Sequence, residues 1–327
     1  MAKAKPFSKE HYAAMKPVYE LLASAGQKTI TVSLLDQPWD HQCFDAYHSM
    51  FEDGDFRVFD EYVEFCRSCG LGPDISCYSL CPWTLGKEID PEALEKRWGA
   101  FLDKFVGHLK EKGWYGHTLM SMDEREPKDV KKVWDFVQKH APGMRISMAG
   151  NRKPSDFAGI DIDVYSQILG VDYLNAEFLA EAAARREKGF VTTYYVCCWP
   201  VYPNTFMTSK SEEGFWCGFG PAVLGLDGFL RWAWNSWPQS PCTDATYWSW
   251  RAGDTFLCYP GGEPSWRFLE LRQGVIAAEK ARILLADPKN AAAFGELKKK
   301  FDLKSANEGK ADYWSLKQAA LQFVNGK

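Results

Sequence analysis

Histidine is scarce in this 327-residue chain, with six in all, and they form no cluster at metal-ligand spacing. Metal-dependent hydrolysis therefore has little to build on, and no metal or other cofactor is expected. No block of Lys and Arg occurs, and the net charge is −4. That balance argues against nucleic acid or an anionic membrane surface as a partner. No stretch is long and apolar enough for a membrane-spanning helix. The pair Cys66-Arg-Ser-Cys69 has no second such pair or His partner at zinc spacing. Cys77, Cys81, Cys197, Cys198 and Cys258 lie in strand-like runs, where thiols act as small core hydrophobes, so no disulfide framework is expected. No Gly-x-Gly-x-x-Gly turn follows the first predicted strand and no phosphate loop is present, which speaks against a nucleotide-binding sheet. Internal repeats and low-complexity segments are missing too. The opening Met1-Ala-Lys-Ala-Lys-Pro6 lacks the apolar run of a signal peptide, so the chain reads as cytoplasmic as it stands, or as the later part of a longer protein.

Aromatic residues, by contrast, are plentiful: 14 Trp, 14 Tyr and 21 Phe. Most belong in a core, but Trp often stays partly exposed and offers a flat face to a ligand. The length suits one large α/β barrel or two ordinary domains. Apolar runs at 28–35, 75–80, 118–122, 145–149, 160–166, 191–198, 228–235 and 255–259 predict eight strands. Helical patterns at 9–24, 59–69, 91–112, 128–140, 175–188, 211–224 and 266–285 alternate with them. A lysine-rich segment, 298–300, and a weaker helix at 313–324 follow. Crossover-length connections imply parallel strands, and eight of them at this length predict a (β/α)₈ barrel over 1–287 with a short C-terminal helical extension over 288–327. A doubly wound open sheet is the alternative.

The stretch Thr118-Leu-Met-Ser-Met-Asp-Glu-Arg-Glu-Pro127 stands out within this frame. A buried strand stops at two adjacent carboxylates, Asp123 and Glu124. Such a pair repels itself and loses hydration, which makes the position costly unless it is used. Strand residues alternate faces, so the two acids converge on one ligand only where the pleat breaks. An ordinary acidic turn at a helix start is the plainer account.

In a barrel the loops after the strands carry function. Those strand ends bear Trp39 and His41, Tyr78 and Trp83, Asp123 and Glu124, Asn151, Tyr194 and Tyr195, and Trp232, Trp234, Asn235 and Trp237. Aromatic faces pack on the C–H faces of a sugar while Asn, His and Tyr bond its hydroxyls, and carboxyl groups do glycosidic chemistry. Each aromatic taken singly is as well explained by packing. Tyr194 and Tyr195 point oppositely, so one at most faces a pocket.

Several segments resemble the catalytic domain of glycoside hydrolase family 123. They are Ala-Gly-Gln-Lys at 25–28, Met-Asp-Glu-Arg at 122–125, Ala-Gly-Asn at 149–151, Thr-Thr-Tyr-Tyr-Val-Cys-Cys at 192–198 and Tyr-Pro-Asn-Thr-Phe at 202–206. Gly-Phe-Leu-Arg-Trp-Ala-Trp-Asn-Ser-Trp at 228–237, Gly-Asp-Thr-Phe at 253–256 and Tyr-Pro-Gly at 259–261 extend the likeness across most of the chain. The resemblance implies a (β/α)₈ barrel, a β-N-acetylgalactosaminidase and a retaining mechanism in which the substrate's own acetamido oxygen attacks the anomeric carbon. It further implies Glu124 as general acid and then base, with a raised pKa assisted by Asp123, and Asp123 as the group that orients the acetamido arm. Trp39, His41, Tyr78, Asn151, Tyr194, Tyr195, Trp232, Trp234 and Asn235 would bind substrate, a glycan ending in N-acetylhexosamine. Departures from the family pattern are the Glu between Arg125 and Pro127, a short 83–98 loop, and no N-terminal β-sandwich, which in often-exported relatives precedes the barrel. A catalytically idle glycan-binding or scaffold barrel, and a glycosidase of other sugar specificity, are the competing readings.

Overall fold

The computed structural model describes residues 4–34, 54–78 and 90–326. The loops after the first two strands, with Trp39, His41 and Trp83, lie outside the described residues. Two compact units divide the chain, 1–23 with 27–164, and 24–26 with 165–327.

The first unit begins with α1 (Lys9–Ala23), β1 (Thr29–Ser33), α2 (Arg57–Ser68) and β2 (Asp74–Tyr78). The helix expected over 91–112 is three pieces: α3 (Pro91–Leu94), a π-helical turn (Glu95–Gly99) and α4 (Ala100–Glu111). Gly99 lies in the π-helical turn, and a Cβ there would strike the His140 ring. Next come β3 (Thr118–Asp123), α5 (Pro127–His140) and β4 (Arg145–Gly150). Pro127 sits at the first turn of α5, where its missing N–H costs nothing.

These strands pair in parallel, with Ile30 level with Ile75, Tyr78 with Ser121, and Asp123 with Ala149. Period-two alternation gives the sheet two different faces. Ile30, Val32, Ile75, Cys77, Met120, Met122, Ile146 and Met148 share one face and are all buried. The opposite face carries Thr31, Ser76, Tyr78, Ser121, Asp123 and Ser147. Hydroxyls link it across three strands: Ser121 Oγ lies 2.6 Å from Ser147 Oγ and hydrogen-bonds Ser76 Oγ.

The second unit holds β5 (Val164–Ile168), α6 (Ala176–Glu187), β6 (Val191–Val196), α7 (Ser211–Leu224) and β7 (Gly228–Arg231). Within it β6 pairs with β7 in parallel. The predicted eighth strand at 255–259 is not a further parallel member among the described residues. Only β8 (Cys258–Tyr259) is extended there, in an antiparallel pair with β9 (Glu263–Pro264). Upstream, Asn235 and Phe256 form an isolated antiparallel bridge, and Leu257 N–H donates to Trp234 O at 2.9 Å. The segment thus folds back along 234–236, which also ends β7 at Arg231 rather than at the expected Asn235.

Helix α8 (Trp266–Leu284) crosses α7 at backbone contact. A Cβ at Gly218 would overlap the Leu271 carbonyl, and one at Gly274 the Phe215 carbonyl. Three further helices, α9 (Ala291–Lys298), α10 (Leu303–Asn307) and α11 (Tyr313–Asn325), close the chain. Phe301 packs on Trp216 and Phe219 of α7, and Lys317 Nζ reaches both carboxylate oxygens of the buried Glu270 at 2.7 Å. No helix among the described residues is long and apolar enough to cross a membrane.

Candidate active site

In the first unit the acids stand where β3 ends. Five strand residues before Asp123 are buried, and Asp123 itself is partly exposed. Its side chain shares the polar face with Tyr78 and with the linked hydroxyls of Ser76, Ser121 and Ser147 further down the strands. Burial, and then the charge of Glu124, push its carboxyl up to about 6, while Arg125 pulls the other way. The Arg125 guanidinium is brought down to about 9 by burial, against the attraction of Asp123 and Asp129. Burial and then the Asp123 charge raise the Tyr78 phenol, so Tyr78 lies within electrostatic reach of the acid.

Glu124 is where the pleat breaks. Regular alternation would return its side chain to the apolar face beside Met122. Instead its φ is +37°, in the left-handed region that residues with a Cβ enter rarely. Its N–H donates to Ala149 O at 2.9 Å, so the backbone stays tied to β4 while the exposed carboxylate leaves the alternation. A strained rim position of this kind is a recurrent feature of functional sites. Two residues further, Glu126 pairs with Arg152 at 2.6 Å, holding the turn before α5. Asn151 is exposed just beyond β4.

In the second unit the aromatic candidates separate into roles. Tyr194 is fully buried and its hydroxyl donates to Cys217 O at 2.7 Å, under α7. It packs edge-on with Phe229, its register partner. This phenol props a helix, on the face of β6 away from Tyr195. Tyr195 points to the opposite face, level with Leu230, and is also buried. Trp232 is half-buried, donates from Nε1 to Asp254 Oδ1 at 3.0 Å, and lies 5.0 Å from the Trp250 ring. Trp234 sets its ring edge-on to Phe268, and its indole N–H has no hydrogen-bond partner among the described residues. Asn235 is held by its bridge to Phe256, and Trp237 Nε1 donates to Cys258 O at 2.6 Å.

Two groups escaped the reading of the sequence. The serine cluster beneath Asp123 had a sequence signal of one Ser on the same face of each of three neighbouring strands, β2, β3 and β4. The second group is a buried charge cluster around Asp254, which is fully enclosed and accepts from Arg231 Nη2 at 2.6 Å. Arg267 donates to the carbonyls of Thr205 and Gly253 and is brought down to about 10 by burial and by Arg231. Through Asp254 the cluster also fixes the Trp232 indole, whose ring stays half-buried. Its only sequence signal is the Gly-Asp-Thr-Phe segment at 253–256.

Residues 1–284 match the family model described as glycoside hydrolase 123, catalytic domain. A solved structure of a family 123 glycoside hydrolase from Clostridium perfringens, described in connection with glycolipid glycan hydrolysis, superposes with a TM-score of 0.82 at 24% identity, over 99% of this chain and 67% of that one. At that identity the likeness establishes the fold, an α/β structure of the (β/α)₈ type. A glycoside hydrolase family 5 structure from Bacteroides vulgatus aligns over 84% of this chain and 64% of that one with a TM-score of 0.44 and 11% identity, too distant to bear on either fold or site. No curated protein matches.

Proposed function

Because the chain belongs to the family of glycoside hydrolase 123 catalytic domains and is accordingly a glycosidase, we propose that it releases terminal β-linked N-acetylgalactosamine by a retaining, substrate-assisted mechanism. In this reading Asp123 accepts the acetamido N–H and steadies the positive charge that develops as the acetamido oxygen attacks the anomeric carbon. Glu124 protonates the leaving glycosidic oxygen, then takes a proton from the water that opens the oxazoline. A carboxyl raised to about 6 is ionised at neutral pH, as an N–H acceptor must be.

The observation that carries the proposal is the positive φ of Glu124 directly after the half-buried Asp123. A conventional retaining enzyme needs two carboxyl groups on opposite sides of the scissile bond, ~5 Å apart. Here the adjacent acids end one strand, an arrangement suited to one acid on the leaving oxygen and the other on the N-acetyl arm. Tyr78, beside Asp123, would bound the acetamido pocket, and Asn151 would bond a sugar hydroxyl. Trp39, His41, Tyr195, Trp232, Trp234 and Asn235 complete the proposed substrate contacts, Trp234 through its indole N–H. The end of the family match at 284 and the packing of Phe301 and Lys317 support 288–327 as an extension of the barrel.

Two chromogenic substrates test this reading, a β-N-acetylgalactosaminide and a plain β-galactoside, each with wild type, Glu124→Gln and Asp123→Asn. Cleavage of the first alone, with loss of at least about a thousandfold in both variants, is the expected result. Equal cleavage of the galactoside would overturn substrate assistance. Inactivity on both would favour an idle glycan-binding barrel.

A further inference from the structure

Strand β6 ends at Val196, and the next two residues are both cysteines whose Sγ atoms lie 3.9 Å apart. Cys198 is exposed and Cys197 partly so, whereas Cys66, Cys69, Cys77, Cys217 and Cys258 are buried. The backbone around the pair is braced. Cys197 N–H donates to Trp199 O at 3.0 Å, and the buried Asn204 donates from Nδ2 to the carbonyls of Cys197 (3.0 Å) and Pro200 (2.6 Å). Asn204 is itself held by Glu213, whose Oε2 accepts its N–H at 2.9 Å. Beyond the pair, the Trp199 ring packs edge-on with Tyr173 and covers Gly170, where a Cβ would strike it. Both thiols are thus presented by a braced loop, with Cys198 the more exposed of the two.

We propose that Cys197 and Cys198 form a redox-active vicinal dithiol, closed to a disulfide by a small-molecule disulfide and reopened by thiols. The exposed Cys198 thiolate attacks the small disulfide, forming a mixed disulfide and releasing one thiolate. Cys197 then loses its proton, attacks the Cys198 sulfur and expels the second thiolate. Overall the dithiol gives up two electrons and two protons, and the small disulfide becomes two thiols. Burial and the neighbouring Cys198 push the Cys197 thiol up to about 12, which leaves Cys198 as the attacking group. Closure requires a sulfur–sulfur approach from 3.9 Å to ~2.05 Å. Adjacent Cα atoms sit only ~3.8 Å apart across a trans peptide, closer than ordinary bridges prefer, so the closed form is readily reduced.

Tryptic peptide 189–210 contains these two cysteines and no others, while Cys242 lies in peptide 232–251 and serves as an exposed single-thiol control. The full chain is incubated with oxidised glutathione, alkylated, digested and weighed. Peptide 189–210 is expected two hydrogen atoms light and without alkyl label, and to regain both labels after dithiothreitol. Cys197→Ser is expected instead to retain a glutathione adduct on Cys198. A lasting adduct on Cys198 in the wild type would overturn the proposal, as would full alkylation of 189–210 while Cys242 reacts.

Discussion

The N–H of Glu124 donates to the carbonyl oxygen of Ala149 at 2.9 Å although Glu124 has already left the strand with a φ of +37°. The hydrogen bond holds the backbone in a conformation that a Cβ disfavours. Replacing Glu124 by Gly removes that penalty, and replacing it by Ala keeps it. Glu124→Gly is expected to be more stable than Glu124→Ala by about 1 kcal/mol in urea unfolding, with both inactive. The entropy of a glycine in the unfolded chain works against this gain. A more stable Ala variant would show that the position carries no strain.

Asp123 gives a pH signature of known sign. Its folded-state value near 6 exceeds the usual 3.8, so the folded chain holds this proton more tightly than the unfolded one. Stability from this group is therefore fully present below about pH 3.8 and is lost as pH rises through 6. Asp123→Asn removes the charge that burial penalises. The variant should match wild type near pH 3 and exceed it by about 2 kcal/mol at pH 7.5, because each tenfold gain in proton affinity on folding corresponds to about 1.4 kcal/mol, reduced here for the partial exposure of Asp123. A stability gap that ignores pH would sink the assignment.

Under the proposed mechanism the same group sets the acid side of the rate profile. Protonating Asp123 removes the acceptor for the acetamido N–H, so kcat should fall as pH drops through about 6. An acid limb unchanged in Asp123→Asn, measured on its residual activity, would assign the ionisation elsewhere.

Tyr194 and Tyr195 are neighbours with opposite expected phenotypes. Tyr194→Phe deletes a buried hydroxyl and leaves the Cys217 carbonyl short of a donor, at a cost of about 1 kcal/mol, while KM stays unchanged. Tyr195→Phe should raise KM. Reversed outcomes would mean the two faces of β6 have been exchanged.

Asp254 compensates two buried arginines. Asp254→Ala strands Arg231 and affects Arg267, and should cost about 3–5 kcal/mol. The double change Asp254→Ala with Arg231→Met should recover part of that loss. A near-neutral single variant would show that water reaches the cluster.

Local pattern carried the elements a long way. Helix α7 has the expected bounds, Ser211–Leu224, because its cap and its left-handed Gly225 are adjacent in sequence. Strands β3 and β6 were evident because buried runs and β-branched residues act locally. What local pattern missed was decided by remote partners. The run at 255–259 has the composition of a parallel strand, but it bonds back to 234–236 and Glu263–Pro264 instead. The helix over 91–112 read as continuous, whereas a π-helical turn interrupts it where Gly99 meets the His140 ring of α5.

By itself the sequence determined that two carboxylates close a buried strand, that one residue of the Tyr194–Tyr195 pair must face away from the other, and which family motifs recur in order. Those are facts of chain neighbourhood and of period-two geometry, and no fold is needed to state them. Only the tertiary structure decided that Tyr194 is the phenol facing helix α7, that burial raises the Asp123 carboxyl, and that Glu124 breaks the pleat. Burial and charge pairing depend on groups far apart in the chain, such as Ala149 beside Glu124 and Cys217 above Tyr194, and those neighbours exist only after folding.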